Sequence, residues 1–270
     1  MKIYFNTHTF DEFIKEESLD ITNIPQETEF LVLGAKKVDY SKFTKLKAVY
    51  RFGVGTDNID FKYLKNINVP VYFPSEKAKE ILYDATANFT VYGIIHVLYR
   101  EAFGDINLWK KKQREYIGEK IALVIGTGNI GKRVLSKLSL FMKTKSFDIT
   151  ANAFDELKPL VKEADIITIH IPLNKDTESF FNEEKLSWAK DKALFINTAR
   201  GSLFDEEALY RKLKNSNCRA FFDVFWQEPY KGKLKDLGQE KFFMTPHSAS
   251  NTREFLRAGF NDILNISRKG

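Results

Sequence analysis

The run Ile121-Ala-Leu-Val-Ile125 leads directly into Gly126-Thr-Gly128-Asn-Ile-Gly131, and that into the helical stretch KRVLSKLSLF. A strand, a glycine turn and a helix in this order constrain the fold more than any other part of the chain. Gly126 permits a tight turn, Gly128 lets the backbone approach a pyrophosphate, and Gly131 lets the helix pack closely on the strand. The helix N-terminus then offers its amides to an anion. In this setting the motif predicts a dinucleotide-binding unit with contacts at Gly126, Thr127, Gly128, Asn129, Ile130 and Gly131. Asp148 follows about twenty residues after the first glycine, where a carboxylate can accept hydrogen bonds from an adenosine ribose. No arginine follows Asp148 within the next several residues to offset its repulsion of a 2′-phosphate, so the expected cofactor is NAD rather than NADP.

The rest of the chain carries the same alternation. Ile3 to Phe5, Phe30 to Leu33, Ala48 to Phe52 and Val69 to Phe73 are short apolar runs bounded by polar or turn residues, as buried parallel strands are. Ile81 to Tyr99 is too long for a strand and reads as a helix bridging two domains. Further strands are expected at Ile121 to Ile125, Asp165 to Ile171, Ala193 to Ile196, Ala220 to Phe225 and Phe242 to Met244. Strands alternating with helices make the fold α/β, with mostly parallel sheets covered on both faces.

Composition narrows the function classes. The chain has 270 residues, 43% hydrophobic and 29% charged, within the range of folded globular proteins. Its net charge of +6 is spread along the sequence, so a solvated lysine-rich surface is expected and nucleic acid is not an expected partner. The short charge run Lys110 to Lys112 reads the same way. Cys218 is the only cysteine, which excludes an internal disulfide and a multi-cysteine metal site; no metal is expected. The opening MKIYFNTHTFDEF lacks the apolar core of a signal peptide, and no stretch has the apolar length of a membrane span. The expected location is the cytoplasm.

Four other segments hold residues suited to binding or acid-base chemistry. The segment Arg51-Phe-Gly-Val-Gly-Thr-Asp-Asn-Ile-Asp60 offers backbone amides at Gly53, Val54 and Gly55 to a small carboxylate, or is merely a tight loop. Asn-Thr-Ala-Arg200-Gly201, Asp223-Val-Phe-Trp-Gln-Glu228-Pro229 and Thr-Pro-His247-Ser-Ala-Ser each end an expected strand. In open parallel sheets the carboxyl ends of the strands face the ligand crevice, so Arg, Glu and His can converge there.

The order GVGTDNID, GTGNIG, HIPL, NTARG, DVFxxEP, TPHSAS resembles the D-isomer-specific 2-hydroxyacid dehydrogenase family, over about residues 29 to 259. The resemblance implies two Rossmann-like domains, with the nucleotide-binding domain inserted in mid-chain. The NAD-binding domain would cover residues 85–248; residues 1–84 and 249–270 would form a discontinuous substrate domain. It implies hydride transfer between NAD and a small 2-keto or 2-hydroxy acid, in a homodimer. Arg200 would hold the substrate carboxylate and polarise the keto oxygen, His247 would donate the proton, and Glu228 would be its carboxylate partner. Gly53, Val54 and Gly55 would also bind the carboxylate. Cofactor contacts would extend to His170, Pro172, Thr177, Thr198 and Asp223, the last facing the nicotinamide carboxamide. Glu228, where formate dehydrogenases of the family have Gln, favours a keto acid over formate. An alternative on the same fold is a non-catalytic, NAD-responsive binding protein of the corepressor kind.

Two departures from the family pattern carry expectations. Only ITANAFDELKPLVKEA separates Asp148 from the strand at Asp165, where the family fits a helix, a strand and a second helix. One αβ unit is therefore expected to be missing, leaving a single helix at about Phe154 to Lys162. The loop Leu33-Gly-Ala-Lys-Lys37 occupies the place where phosphoglycerate dehydrogenases present basic residues to a phosphate. Lys36 is thus a candidate phosphate contact, the plainer reading being a solvated lysine pair.

Overall fold

The computed structural model describes residues 1–100, 109 and 113–268. The Lys110 to Lys112 charge run lies outside the described residues. The chain divides into two compact units, one of residues 1–82 with 251–270 and one of residues 83–250.

The first unit holds a four-stranded parallel sheet in the order β1 (Ile3–Phe5), β2 (Phe30–Leu33), β3 (Ala48–Arg51), β4 (Val71–Tyr72). Successive side chains point to opposite faces, and both faces are apolar. Phe30, Val32, Ala48 and Tyr50 pack on Phe10 and on Phe260 and Ile263 of the last helix, α8 (Arg253–Ser267). Leu31, Leu33 and Val49 pack on Tyr40, Phe43 and Leu64. Between these lie α1 (Asp11–Ile14) and α2 (Phe61–Asn66).

The second unit holds six parallel strands: β5 (Ile121–Ile125), β6 (Lys143–Phe147), β7 (Ile166–Ile169), β8 (Leu194–Asn197), β9 (Arg219–Phe222) and β10 (Phe242–Met244). Their spatial order is β10-β9-β8-β7-β5-β6. Leu123, Ile125, Ile167, Phe195 and Phe222 face one layer, with α5 (Leu157–Glu163), α6 (Glu183–Trp188) and α7 (Glu206–Asn215) supplying Val161, Leu186 and Leu209. Ala122, Val124, Ile196 and Phe221 face the other, against Ile94 and Val97 of α3 (Glu76–Tyr99) and Val134 and Leu138 of α4 (Gly131–Leu138). The expected α/β class and parallel sheets are what the structure shows.

Two expectations about elements have instructive outcomes. Helix α3 starts at Glu76, five residues before the expected Ile81, because its first turn is polar and carries no apolar rhythm. Its signal is Ser75, whose hydroxyl accepts the Ala78 amide at 3.4 Å as a cap. Between β6 and β7 the chain makes only a 3-10 turn (Phe154–Glu156) and α5, with no strand. In the six-stranded Rossmann order a further strand flanks the second one; here β6 is the sheet edge. That edge is protected by charge, Lys143 pairing with Glu119 and Lys145 with Glu163.

Candidate active site

Every residue expected to act in the second unit follows the carboxyl end of one of its parallel strands. The strand order reverses between β6-β5 and β5-β7, the switch point at which open α/β sheets leave a ligand crevice. The glycine motif follows β5 and Asp148 follows β6. His170 follows β7, Thr198 and Arg200 follow β8, Asp223 and Glu228 follow β9, and His247 follows β10.

The glycine turn is built as its residue types require. Gly126 has φ +87°, and a Cβ on Gly131 would stand 1.8 Å from the Gly126 carbonyl oxygen, so α4 is docked against the turn. A Cβ on Gly128 would meet nothing within 4 Å, so this residue faces open space. No side chain caps α4. Asn129 is exposed, and Thr127 and Ile130 are half-buried. His170 keeps Nδ1 buried with no hydrogen-bond partner, and Nε2 lies 2.9 Å from the Thr168 hydroxyl. Burial pulls its imidazole down to about 3, so the ring is neutral near pH 7. An open glycine, an uncapped helix and an unsatisfied ring nitrogen fit a bound dinucleotide.

Asp148 accepts the Thr127 amide at 2.7 Å and the Thr127 hydroxyl at 2.9 Å on one oxygen, and the Thr150 amide and hydroxyl at 3.0 and 2.7 Å on the other. These bonds, the Thr127 amide first, hold its carboxyl down at about 2. Pro172 is exposed, and its carbonyl accepts the Thr177 hydroxyl at 2.7 Å. The buried Thr198 hydroxyl lies 2.8 Å from that of Thr90 on α3.

The acid-base candidates are brought together. His247 Nδ1 lies 2.8 and 3.1 Å from the two carboxylate oxygens of Glu228, and one of those oxygens also accepts the Phe225 amide at 3.1 Å. Burial works to raise the Glu228 carboxyl, but the His247 bond and charge, the Phe225 amide and the Arg200 charge leave it below the usual glutamate range. Arg200 is thus electrostatically coupled to the pair, and its Nη1 donates to the Ala199 carbonyl at 2.7 Å.

Two positioning residues went unread in the sequence, and a third, Asp223, was read there only as a cofactor contact. Buried Asn197 donates to the Arg200 carbonyl at 2.8 Å and accepts the Ala199 amide at 3.0 Å, which fixes the turn carrying Arg200. Gly201 lies so close to the Phe225–Trp226 backbone that a Cβ would stand 2.2 Å from the Phe225 carbonyl carbon, which brings the Arg200 and Glu228 loops together. Asp223 is fully buried, with its carboxylate accepting the Thr245 hydroxyl and the Ser248 and Ala249 amides at 2.6, 2.7 and 2.8 Å. Both of its oxygens are engaged with the His247 loop.

In the other unit, the loop 53–55 after β3 is half-buried. Arg51, 4% exposed, donates through Nε to the Gly55 carbonyl at 2.8 Å and through Nη1 to the Gly34 carbonyl at 2.9 Å. Asn58 donates to the carbonyls of Gly34 and Ala35 at 2.8 and 3.1 Å. These two residues tie the loop to the one that follows β2. A basic residue ending the otherwise apolar strand AVYR was the available signal. Lys36 is exposed.

Comparisons with known proteins identify the family. A family model for the D-isomer-specific 2-hydroxyacid dehydrogenase NAD-binding domain matches residues 100–249. The hydroxypyruvate reductase of Thermotoga maritima is 31% identical over 92% of this chain and 86% of its own length. The chain belongs to the D-isomer-specific 2-hydroxyacid dehydrogenase family. It is accordingly an NAD-dependent oxidoreductase. Another relative, the glyoxylate reductase of Thermofilum pendens, is 32% identical over 87% of this chain and 75% of its own. Among solved structures, the Aquifex aeolicus D-lactate dehydrogenase complexed with NAD and lactic acid aligns with a TM-score of 0.81 at 25% identity, covering 99% of this chain and 94% of that one. No described helix is long and apolar enough to cross a membrane.

Proposed function

We propose that the chain transfers a hydride between NAD and a small 2-keto or 2-hydroxy acid of the D series, with residues 83–250 as the nucleotide-binding domain and the rest as the substrate domain. The observation that carries the reading is the pairing of His247 Nδ1 with both oxygens of Glu228. That pairing fixes the ring orientation and leaves Nε2, on the opposite side of the ring, to exchange a proton with substrate.

Glycine-motif backbone from Gly126 to Gly131 would hold the pyrophosphate and Asp148 the adenosine ribose, with His170, Pro172, Thr177 and Thr198 lining the same strand ends. When bound, NAD supplies or accepts the hydride at the substrate carbon. The chain's residues handle charge. Arg200 pairs with the substrate carboxylate and the keto oxygen, where negative charge builds during reduction. His247 gives its Nε2 proton to that oxygen while Glu228 stabilises the imidazolium. In the substrate domain the amides of Gly53, Val54 and Gly55 offer a second carboxylate contact. Exposed Lys36 is a candidate phosphate contact only for a phosphorylated substrate. A homodimer in the cytoplasm completes the reading.

The test is NADH oxidation with a panel of glyoxylate, hydroxypyruvate, pyruvate and longer 2-keto acids, using wild type and His247→Ala. Turnover with one of them, lost about a hundredfold or more in the variant while NADH still binds, supports the assignment. NADH binding by the wild type with no turnover on any acid would favour the NAD-responsive binding protein instead.

A further inference from the structure

We propose that the Thr150 hydroxyl occupies the place on Asp148 that the adenosine ribose must take, so that Thr150 sets the affinity of the chain for NAD and NADH. The inference rests on the reading of Asp148 as the ribose residue. An ionised carboxylate offers about four lone-pair positions. In this fold Thr127 fills two of them through its amide and hydroxyl, and Thr150 fills the other two in the same way. A ribose hydroxyl therefore binds Asp148 only by displacing a donor already present.

The four donors are not equally easy to displace. The Thr127 amide sits in the glycine turn, anchored where the Gly126 amide donates to the Phe147 carbonyl at 2.8 Å. The Thr127 side chain beside it is half-buried. The Thr150 amide belongs to a closed turn in which the amides of Ala151 and Asn152 donate to the Asp148 carbonyl at 2.9 and 2.8 Å. The Asp148 amide returns a bond to Asn152 Oδ1 at 3.0 Å. The Thr150 side chain, by contrast, is exposed and leaves by rotation about a single bond into water. It is the donor the ribose replaces. Exchange of one hydroxyl for another yields little net binding, whereas a vacant position would yield a full hydrogen bond, about two- to tenfold in affinity.

The experiment measures NADH affinity by fluorescence titration for wild type, Thr150→Val, Thr150→Ala, Thr150→Ser and Asp148→Ala. It then displaces NADH with AMP and with 2′,3′-dideoxy-AMP. Both T150V and T150A are expected to bind NADH about two- to tenfold tighter than wild type, with T150S at the wild-type value. The same gain is expected for AMP and is absent for the dideoxy nucleotide, which has no hydroxyl to exchange. T150V and T150A binding NADH no more tightly than wild type, while D148A binds it more weakly, would overturn the competition alone. T150V and T150A binding NADH no more tightly than wild type, with D148A also as tight as wild type and AMP and dideoxy-AMP equivalent on all of them, would remove the ribose reading itself.

Discussion

The backbone carbonyl of Asp223 accepts the His247 amide at 2.9 Å, while its carboxylate accepts from Thr245, Ser248 and Ala249 on either side of that histidine. His247 has φ +54°, a left-handed conformation that costs a non-glycine residue on the order of 1 kcal/mol and persists only where the surroundings impose it. Asp223 imposes it. Asp223→Asn presents an NH2 group to positions that require an acceptor, in a fully buried site. The expected cost is about 2 kcal/mol in denaturant unfolding, together with a fall in turnover larger than the fall in NADH affinity. An unchanged unfolding midpoint would contradict the role.

Glu228 acts through its charge, and its depressed carboxyl pKa determines the sign of the pH effect. A lowered acid contributes fully above its ordinary range and loses that contribution as pH falls through the lowered value. Between pH 5 and 8 the carboxylate is ionised throughout. Glu228→Gln should therefore lower kcat/KM by about ten- to a hundredfold at pH 7. Wild type should converge on the variant only in more acid solution, where both are assayed briefly before unfolding. A variant within a few-fold of wild type at pH 7 would show that another group supports the histidine.

The Arg200 backbone is fixed by Asn197 and its guanidinium Nη1 donates to the Ala199 carbonyl. Arg200→Lys keeps the charge but replaces a planar two-point donor with one ammonium. A loss of about a hundredfold in kcat/KM with NADH affinity retained is expected. A lysine variant within a few-fold of wild type would mean that charge alone suffices.

What the sequence made legible follows from what each signal measures. Most strands of both sheets were readable because their apolar runs are buried on two faces, whereas β6, with the sequence KTKSF, has no such run; the missing αβ unit was readable as a distance between Asp148 and Asp165. Arg200, Glu228 and His247 were readable as motif residues at strand ends. Gly201 and Arg51 were not, since their roles consist of contacts with backbone far along the chain, such as Arg51 with Gly34, and Asn197 was not because its bonds are to the backbone of the turn after it rather than to a reacting group. The support that Asp223 gives the His247 loop was hidden in the same way: the sequence marks a carboxylate at a strand end, but only the fold shows the amides of Ser248 and Ala249 closing over it.

Asp148 links coenzyme choice to stability. Its charge repels a 2′-phosphate, so wild type should prefer NADH to NADPH strongly, and Asp148→Ala should narrow that preference mainly by gaining NADPH affinity as the repulsion is removed. With its carboxyl at about 2 against an ordinary 3.8, its stabilising contribution is fully present above pH 4 and disappears as pH falls toward 2. Discounted for solvent screening of a partly exposed group, that contribution is about 1 kcal/mol. The D148A deficit in urea unfolding should therefore be visible at pH 7 and shrink steadily below pH 4. Equal efficiencies of wild type with both coenzymes would sink the assignment.

The two later glycines of the motif separate folding from binding. At Gly131 an added methyl would lie 1.8 Å from the backbone oxygen of Gly126, and backbone cannot yield as a flexible side chain does. Gly131→Ala must push α4 away from β5, whose Ala122 and Val124 pack in the same cluster as Val134 and Leu138 of that helix. Overpacking of this kind costs about 1–3 kcal/mol, so a clear drop in thermal stability is expected even without ligand. At Gly128 the same methyl meets nothing within 4 Å. Gly128→Ala should melt within a degree or two of wild type, yet bind NADH about tenfold or more weakly, because the methyl stands where the pyrophosphate approaches the backbone. Thermal melts with and without NADH distinguish the two cases. A destabilised G128A, or a G131A as stable as wild type, would mean that the turn is not packed as described; a G128A that binds NADH normally would mean that the pyrophosphate lies elsewhere.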